Sequence, residues 1–129
     1  MNQNLLKSSG TPAPGNSFEL IINDPLDAGK QYFILASFGN YPAIILPDGR
    51  VIYLTNDGLF SYIIQSANTG FFQNTYGTLD QLGRAIATIS IPNIPGLSGL
   101  DLYFAFVTLD PNAPSSISRI SHTIKVTIT

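Results

Sequence analysis

The sequence has no cysteine and no tryptophan, and its single histidine is His122. Without cysteine there is no disulfide framework, and no thiolate is present to bind a metal or to carry redox chemistry. A zinc site of histidine and cysteine ligands is excluded too, because such a site needs at least three of them. The one histidine has no Gly-x-Ser-x-Gly motif to serve, so we expect no catalytic residues and no enzyme.

Charge is also scarce, because Asp, Glu, Lys and Arg make up 11% of the 129 residues, against about 25% in an average soluble protein. The six basic residues are scattered along the chain, so a nucleic acid is not an expected partner. No apolar run approaches the ~20 residues of a membrane helix, and we expect no membrane insertion. A polar but uncharged surface is typical of secreted, adhesive or self-assembling β proteins.

Turn-forming residues, in contrast, are plentiful: there are 11 glycines and 9 prolines. Residues 1–16 are rich in Ser, Gly, Pro and Asn, which predicts a flexible arm or linker. Leu5 and Leu6 are apolar enough to pack as a short edge strand instead. Residues 17–129 are predicted to form a single β-sandwich domain, within the usual size of one domain.

Short apolar segments between these turns alternate with a period of two, as half-buried strands do. Phe18, Leu20 and Ile22 show the pattern in one segment, and Ile124, Val126 and Ile128 show it in another. We expect strands at 17–23, 30–37, 43–46, 50–54, 76–80, 83–91, 100–109 and 122–129. Residues 59–66 fit a strand or a short helix. The pattern predicts an all-β protein, an antiparallel immunoglobulin-like sandwich of about seven to eight strands.

Several of these segments also carry turn motifs that can be compared with known modules. They are Leu46-Pro47-Asp48-Gly49-Arg50-Val51-Ile52, Gly77-Thr78-Leu79-Asp80, Gly83-Arg84-Ala85, Ile91-Pro92, the run from Leu102 to Pro111, and Ile120-Ser121. Together they resemble the C-terminal immunoglobulin-like β-sandwich module of secreted proteins from planctomycetes and similar environmental bacteria. The resemblance covers most of residues 17–129. It implies a module at the end of an exported chain and an extracellular or cell-surface location, but no particular activity. That family commonly has Asn where His122 stands, which argues against a role for this histidine.

Most of the seven aspartates lie at predicted turns, where an Asp side chain accepts hydrogen bonds from its own backbone. The alternative is calcium, which requires several converging oxygen ligands. Asn23, Asp24 and Asp27 are the candidate calcium ligands, although no EF-hand spacing is present. No other cofactor is expected.

The loop aromatics are the remaining candidate site. Tyr41, Phe71, Phe72 and Tyr76 lie in or beside predicted loops, where they would serve as a ligand-binding platform or as plugs for the ends of the sandwich. Sugars stack on exposed aromatic rings, so a glycan is one ligand class that these residues suggest.

Three functions therefore remain open. The first is a non-catalytic extracellular accessory or interaction domain for adhesion, anchoring or spacing. The second is a self-assembling fibre or surface-layer subunit, joined to its own copies through the N-terminal arm or an edge strand. The third is a carbohydrate-binding module.

Overall fold

Residues 5–129 are described by the structure, a computed structural model of the chain. They form eleven strands and one α-helix, and every strand pairing is antiparallel. In chain order the elements are β1 Leu6–Ser9, β2 Ser17–Asn23, β3 Gln31–Ser37, β4 Ile44–Ile45, β5 Val51–Ile52, α1 Gly58–Gln65, β6 Phe72–Gln73, β7 Tyr76–Thr78, β8 Arg84–Ser90, β9 Asp101–Leu109, β10 Ile117–Ile120 and β11 Ile124–Thr127. The predicted all-β class is confirmed.

The main core lies between two sheets. One sheet has the order β1-β2-β8-β6, and the other has the order β10-β9-β3-β7, with β11 also paired to β9. The alternating residues of β2 are buried, and Phe18 meets Phe104 of β9 edge-on, with ring centroids 5.9 Å apart. Tyr32 and Ile34 of β3 belong to the same apolar cluster. Two layers of β-sheet thus share one interior, as alternation in β2 and β11 predicts.

The second sheet is covered on its outer face as well. Leu35 of β3 and Val107 of β9 are buried there against Ile52 and Leu54. We call the β4–β5 hairpin the covering layer, because it lies over this face. Phe60 of α1 packs against the same cluster, whereas Ile63 of α1 belongs to the main core. Two-sided burial explains why the sequences of β3 and β9 are apolar at almost every position.

Arg50 fastens the hairpin of this layer to the sheet. Its guanidinium donates to the backbone carbonyls of Ser118, Ile117 and Pro114 over 3.1, 2.6 and 2.9 Å, and it pairs with Asp48 at 2.8 Å. The predicted Pro47-Asp48-Gly49 turn is confirmed, since Ile44 pairs with Ile52 and Ile45 pairs with Val51 across it.

The outer edge of the second sheet is discontinuous. β10 and β11 both lie along β9, pairing with Val107–Leu109 and with Asp101–Phe104 respectively. Between them the Ser121 hydroxyl accepts a hydrogen bond from the amide of Phe106 at 2.8 Å. A side chain thus takes the place of a backbone carbonyl where the edge strand is interrupted.

The N-terminal segment differs from the flexible arm predicted over residues 1–16. Leu6–Ser9 forms an edge strand whose partner is β2, and Leu5 and Leu6 are buried. The burial of these two leucines offsets the entropy cost of ordering the segment. The first four residues of the predicted arm lie outside the described residues.

Two further strands, together with β1, raise the strand number above the predicted seven to eight. β6 lies in a predicted loop, and β10 precedes the strand predicted at 122–129. β7, in the strand predicted at 76–80, pairs with β3. Residues 59–66, which fitted either element, form α1. Its N-cap is Asp57, whose carboxylate accepts from the amide of Phe60 at 3.0 Å.

Candidate functional site

The strands of the sandwich run between two chemically different ends. β3 begins beside charged residues and ends at Ser37 beside apolar residues. β8 and β9 run between the same two ends of the sandwich. We call the two regions the ionic end and the apolar end. A third region, an open trough, lies against the covering layer.

The apolar end contains a cavity of about 230 Å³ between the two sheets. Its floor is core: Ile89, Ile91, Leu102 and Phe104 all face it and are at most 9% exposed. Its rim is formed by side chains between 36% and 49% exposed, namely Phe38, Tyr62, Phe71 and Leu100. We call this space the end cavity. The strands β8 and β9 supply the floor of the end cavity, and α1 and the loops supply its aromatic rim.

The lining of the end cavity is almost free of polar groups. Among its fifteen residues only Ser90 and Tyr62 have a polar side-chain atom, and none is charged. The Ser90 amide is already bound to the carbonyl of Phe71 at 2.8 Å. This surface can hold an apolar group but offers almost no hydrogen bonds.

Two of the four predicted platform residues meet at this cavity. Phe71 lies on its rim, whereas Phe72 is 6% exposed and packs edge-on against Tyr62, with centroids 5.6 Å apart. Tyr76 packs instead against Phe33 at 5.2 Å, and Tyr41 is 88% exposed in the loop before β4. The four residues therefore do not form one flat platform.

Phe38 and Tyr62 line the cavity but were not among the residues predicted from the sequence. Tyr62 reaches the rim because α1 is a helix, and Asp57 was the signal for that helix. Phe38 directly follows a strand predicted to be buried, and no sequence signal distinguishes it from a core residue.

At the ionic end a buried carboxylate pair faces one guanidinium. Asp24 is fully buried, and its Oδ2 lies 3.1 Å from Nε of Arg119, without the alignment of a hydrogen bond. Asp27 lies 3.8 Å from the same Nε and accepts a hydrogen bond from the Thr108 hydroxyl. Burial raises the pKa of Asp24; the positive charge of Arg119 opposes this rise and the negative charge of Asp27 adds to it.

The predicted calcium ligands thus divide into two kinds. Asp24 and Asp27 converge, but their positive partner in the structure is Arg119. The side chain of Asn23 is exposed at the end of β2. The backbone amide of Asn23 donates a hydrogen bond to the carbonyl of Leu5 at 2.9 Å. Within residues 5–129 no group of three or more His, Asp or Glu side chains converges as a metal site would require.

The trough lies where the covering layer meets β10, and it has a volume of about 620 Å³. Arg50, Tyr53, Arg119 and His122 line it. The guanidinium of Arg50 already donates hydrogen bonds to the backbone carbonyls described above. Nδ1 of His122 makes no hydrogen bond within the described chain. Tyr53 is 59% exposed, so an aromatic ring stands at the margin of an open, mixed polar surface.

No protein-family model matches this chain, and no curated protein is similar enough to count as a relative. In the part of the chain that the structure describes, no helix is long and apolar enough to cross a membrane. Evidence for the function therefore comes from the exposed residues and cavities of the structure.

Proposed function

We propose that this chain is a non-catalytic extracellular interaction domain of a bacterial protein, serving adhesion, anchoring or spacing. The observation that carries the proposal is the outward face of the β4–β5 hairpin. Ile44 and Ile52 point inward to the covered core, so Ile45, Val51 and Tyr53 share the opposite face at period two. Ile45 is 72% exposed and Tyr53 is 59% exposed.

This face has the composition of a protein-binding surface. Aromatic and arginine side chains are enriched in interfaces, and Tyr53 adjoins the trough with Arg50 and Arg119. Arg50 holds the hairpin rigid through three carbonyls, so little conformational entropy is lost when a partner binds. The exposed Tyr41 precedes the same hairpin and extends the apolar surface available to a partner.

Strand order supports an immunoglobulin-like assignment for the domain. In that fold the first two strands join the fifth and fourth in one sheet, while the third, sixth and seventh form the other. Here β1, β2, β8 and β6 take the first set of places, and β3, β9 and β10–β11 take the second, while β7 is an additional strand beside β3. The resemblance to a secreted bacterial module and the low charge agree with this reading. The fold alone specifies no function, so the hairpin face carries the proposal.

Self-assembly is the second candidate, because β1 and β11 are edge strands whose exposed side chains are polar. β1 is already paired within its own chain, so assembly would have to use its outer edge or exchange the strand. Lys7 and Lys125 stand in these two edge strands, and a lysine on an edge disfavours pairing with another copy.

A binding experiment with matched variants tests the proposal. The domain is screened against purified bacterial surface proteins, secreted proteins and glycans, with Tyr53→Ser beside Leu82→Ser. Leu82 is also 59% exposed but lies in the turn before β8, at the ionic end. We expect at least one protein to bind with an affinity that Tyr53→Ser lowers tenfold or more and that Leu82→Ser leaves unchanged.

The outcomes separate the candidate functions. Equal loss of binding in both variants, or no binding to any extracellular protein, would overturn the hairpin assignment. Binding to a glycan alone would favour the carbohydrate-binding alternative. Light scattering at rising concentration addresses assembly, because a strict monomer at millimolar concentration removes that candidate.

A further inference from the structure

The end cavity is a second site, independent of the hairpin face. Its floor residues belong to the main core, yet one side of each faces the cavity. Groups that line such a space lack dispersion partners on that side, so an occupant of matching shape restores contacts that the empty cavity lacks.

Water is a poor occupant of this space. A buried water molecule typically makes about three hydrogen bonds, and cavities lined by apolar groups stay dry. The only polar side-chain atoms of the lining are the hydroxyls of Ser90 and Tyr62. A charged ligand is equally disfavoured, because no lining residue carries a charge to pair with it.

The dimensions favour a small molecule over a protein partner. A stable protein interface buries about 800 Å² on each side, whereas the cavity mouth consists of four half-exposed side chains. The described N-terminal strand cannot fill it either, because Leu6 pairs with Ile22 at the ionic end of β2. An engineered apolar cavity of about 150 Å³ binds benzene, so about 230 Å³ accommodates one or two aromatic rings.

The rim points to an aromatic rather than an aliphatic ligand. Tyr62 and Phe72 already meet edge-on at 5.6 Å, and Phe38 and Phe71 complete the rim. Aromatic rings gain from edge-to-face contacts beyond the burial of apolar area. We propose that the end cavity binds a small, uncharged aromatic molecule of one or two rings.

Naphthalene and toluene are the probes that test this inference, with 2-naphthoate as the charged analogue and octanol as the aliphatic comparison. Thermal unfolding and methyl NMR are followed in the native chain and in two tryptophan variants. Leu100→Trp places a ring in the cavity mouth, whereas Ile94→Trp places one in the same loop, at an exposed position outside the lining.

We expect naphthalene to raise the melting temperature of the native chain and of Ile94→Trp, because a ligand that binds only the folded state stabilises it. We expect Leu100→Trp to weaken that binding at least tenfold, and 2-naphthoate to cause no shift. Methyl signals of Ile91, Leu102 and Ile128 should move on addition of naphthalene.

Three results would overturn the proposal. They are the absence of any stabilisation by either arene, equal binding by Leu100→Trp and the native chain, or tighter binding of octanol than of naphthalene. If Leu100→Trp does not fold, the methyl shifts of the native chain decide: shifts confined to the lining support the site, and shifts elsewhere refute it. Loss of binding at the hairpin face leaves this result unaffected.

Discussion

Gly83 is the position where the backbone tolerates a side chain least, so Gly83→Ala provides a demanding test. The residue lies in the turn before β8 with φ of +80°, a left-handed conformation. A Cβ there would stand 2.2 Å from the carbonyl oxygen of Asp24 and 2.7 Å from Cα of Pro25. Both neighbours are backbone, so no side chain can move aside to make room.

The cost of this substitution has two parts. The left-handed conformation costs alanine about 1–2 kcal/mol. Relief of the clash must separate the two segments, which weakens the 2.8 Å hydrogen bond from the Asp24 amide to the Gly83 carbonyl. Overpacking and one lost hydrogen bond add about 2–4 kcal/mol. We expect a total loss of about 3–6 kcal/mol, a large fraction of the stability of a small domain.

Gly29→Ala is the matched control for this measurement. Its φ is +81°, nearly the same as that of Gly83, but a Cβ there meets nothing within 4 Å. Urea unfolding followed by circular dichroism measures both variants, and the difference between them isolates the clash. If the two variants lose the same free energy to within about 0.5 kcal/mol, then close approach is not the reason for glycine at position 83.

Three other predictions concern the ionic end, the covering layer and the core. Asp24→Asn should become more stable relative to the native chain as the pH rises from about 4, because the raised pKa of Asp24 gives a stability contribution that is fully present below its unfolded value and lost at higher pH. Arg50→Ala should cost about 1–2 kcal/mol and speed hydrogen exchange at the Leu46 amide, which bonds to the Arg50 carbonyl at 2.8 Å. Tyr32→Phe should cost about 1 kcal/mol at pH 7, because Tyr32 donates to the carbonyl of Asn74 at 2.7 Å. In the native chain, burial raises the pKa of Tyr32 to about 12, so its contribution to stability should disappear as the pH rises from 10 towards that value.

Each of these predictions has a result that contradicts it. For Asp24→Asn it is a difference in urea midpoint that stays constant from pH 4 to pH 7. For Arg50→Ala it is unchanged exchange in the hairpin. For Tyr32 it is complete ionisation of all six tyrosines by pH 11, as seen in the ultraviolet absorbance.

The sequence predicts the strands that have a buried and an exposed face, because alternation is a local property. β2 was predicted at its observed bounds, and β8 to within one residue at each end. Elements whose stability comes from distant contacts were missed. β6 is two residues long and owes its place to pairing with β8, and β10 is held by β9 and by the guanidinium of Arg50.

The candidate site was recovered less completely than the strands. Phe71 and Phe72 were singled out as loop aromatics, and both line the end cavity. Whether Phe71 and Phe72 plug the end of the sandwich or form a binding platform depends on which element covers each ring. Tyr62 of α1 packs against Phe72, and the sequence does not show this contact. Asp24 and Asp27 both face Arg119 in the structure, and the approach of a residue more than ninety positions along the chain leaves no local pattern in the sequence.

The interruption at Ser121 also bears on how copies of this domain behave when crowded. A continuous outer strand from Ile117 to Thr127 would offer a long row of unpaired amides and carbonyls to any neighbour. The break leaves two stretches of four residues each, and a register irregularity inside β10, between Ile117 and Arg119, interrupts the edge once more. With a net charge of only −2, electrostatic repulsion between copies is weak. Solubility at high concentration then depends on the shape of an edge that gives an incoming strand no continuous template.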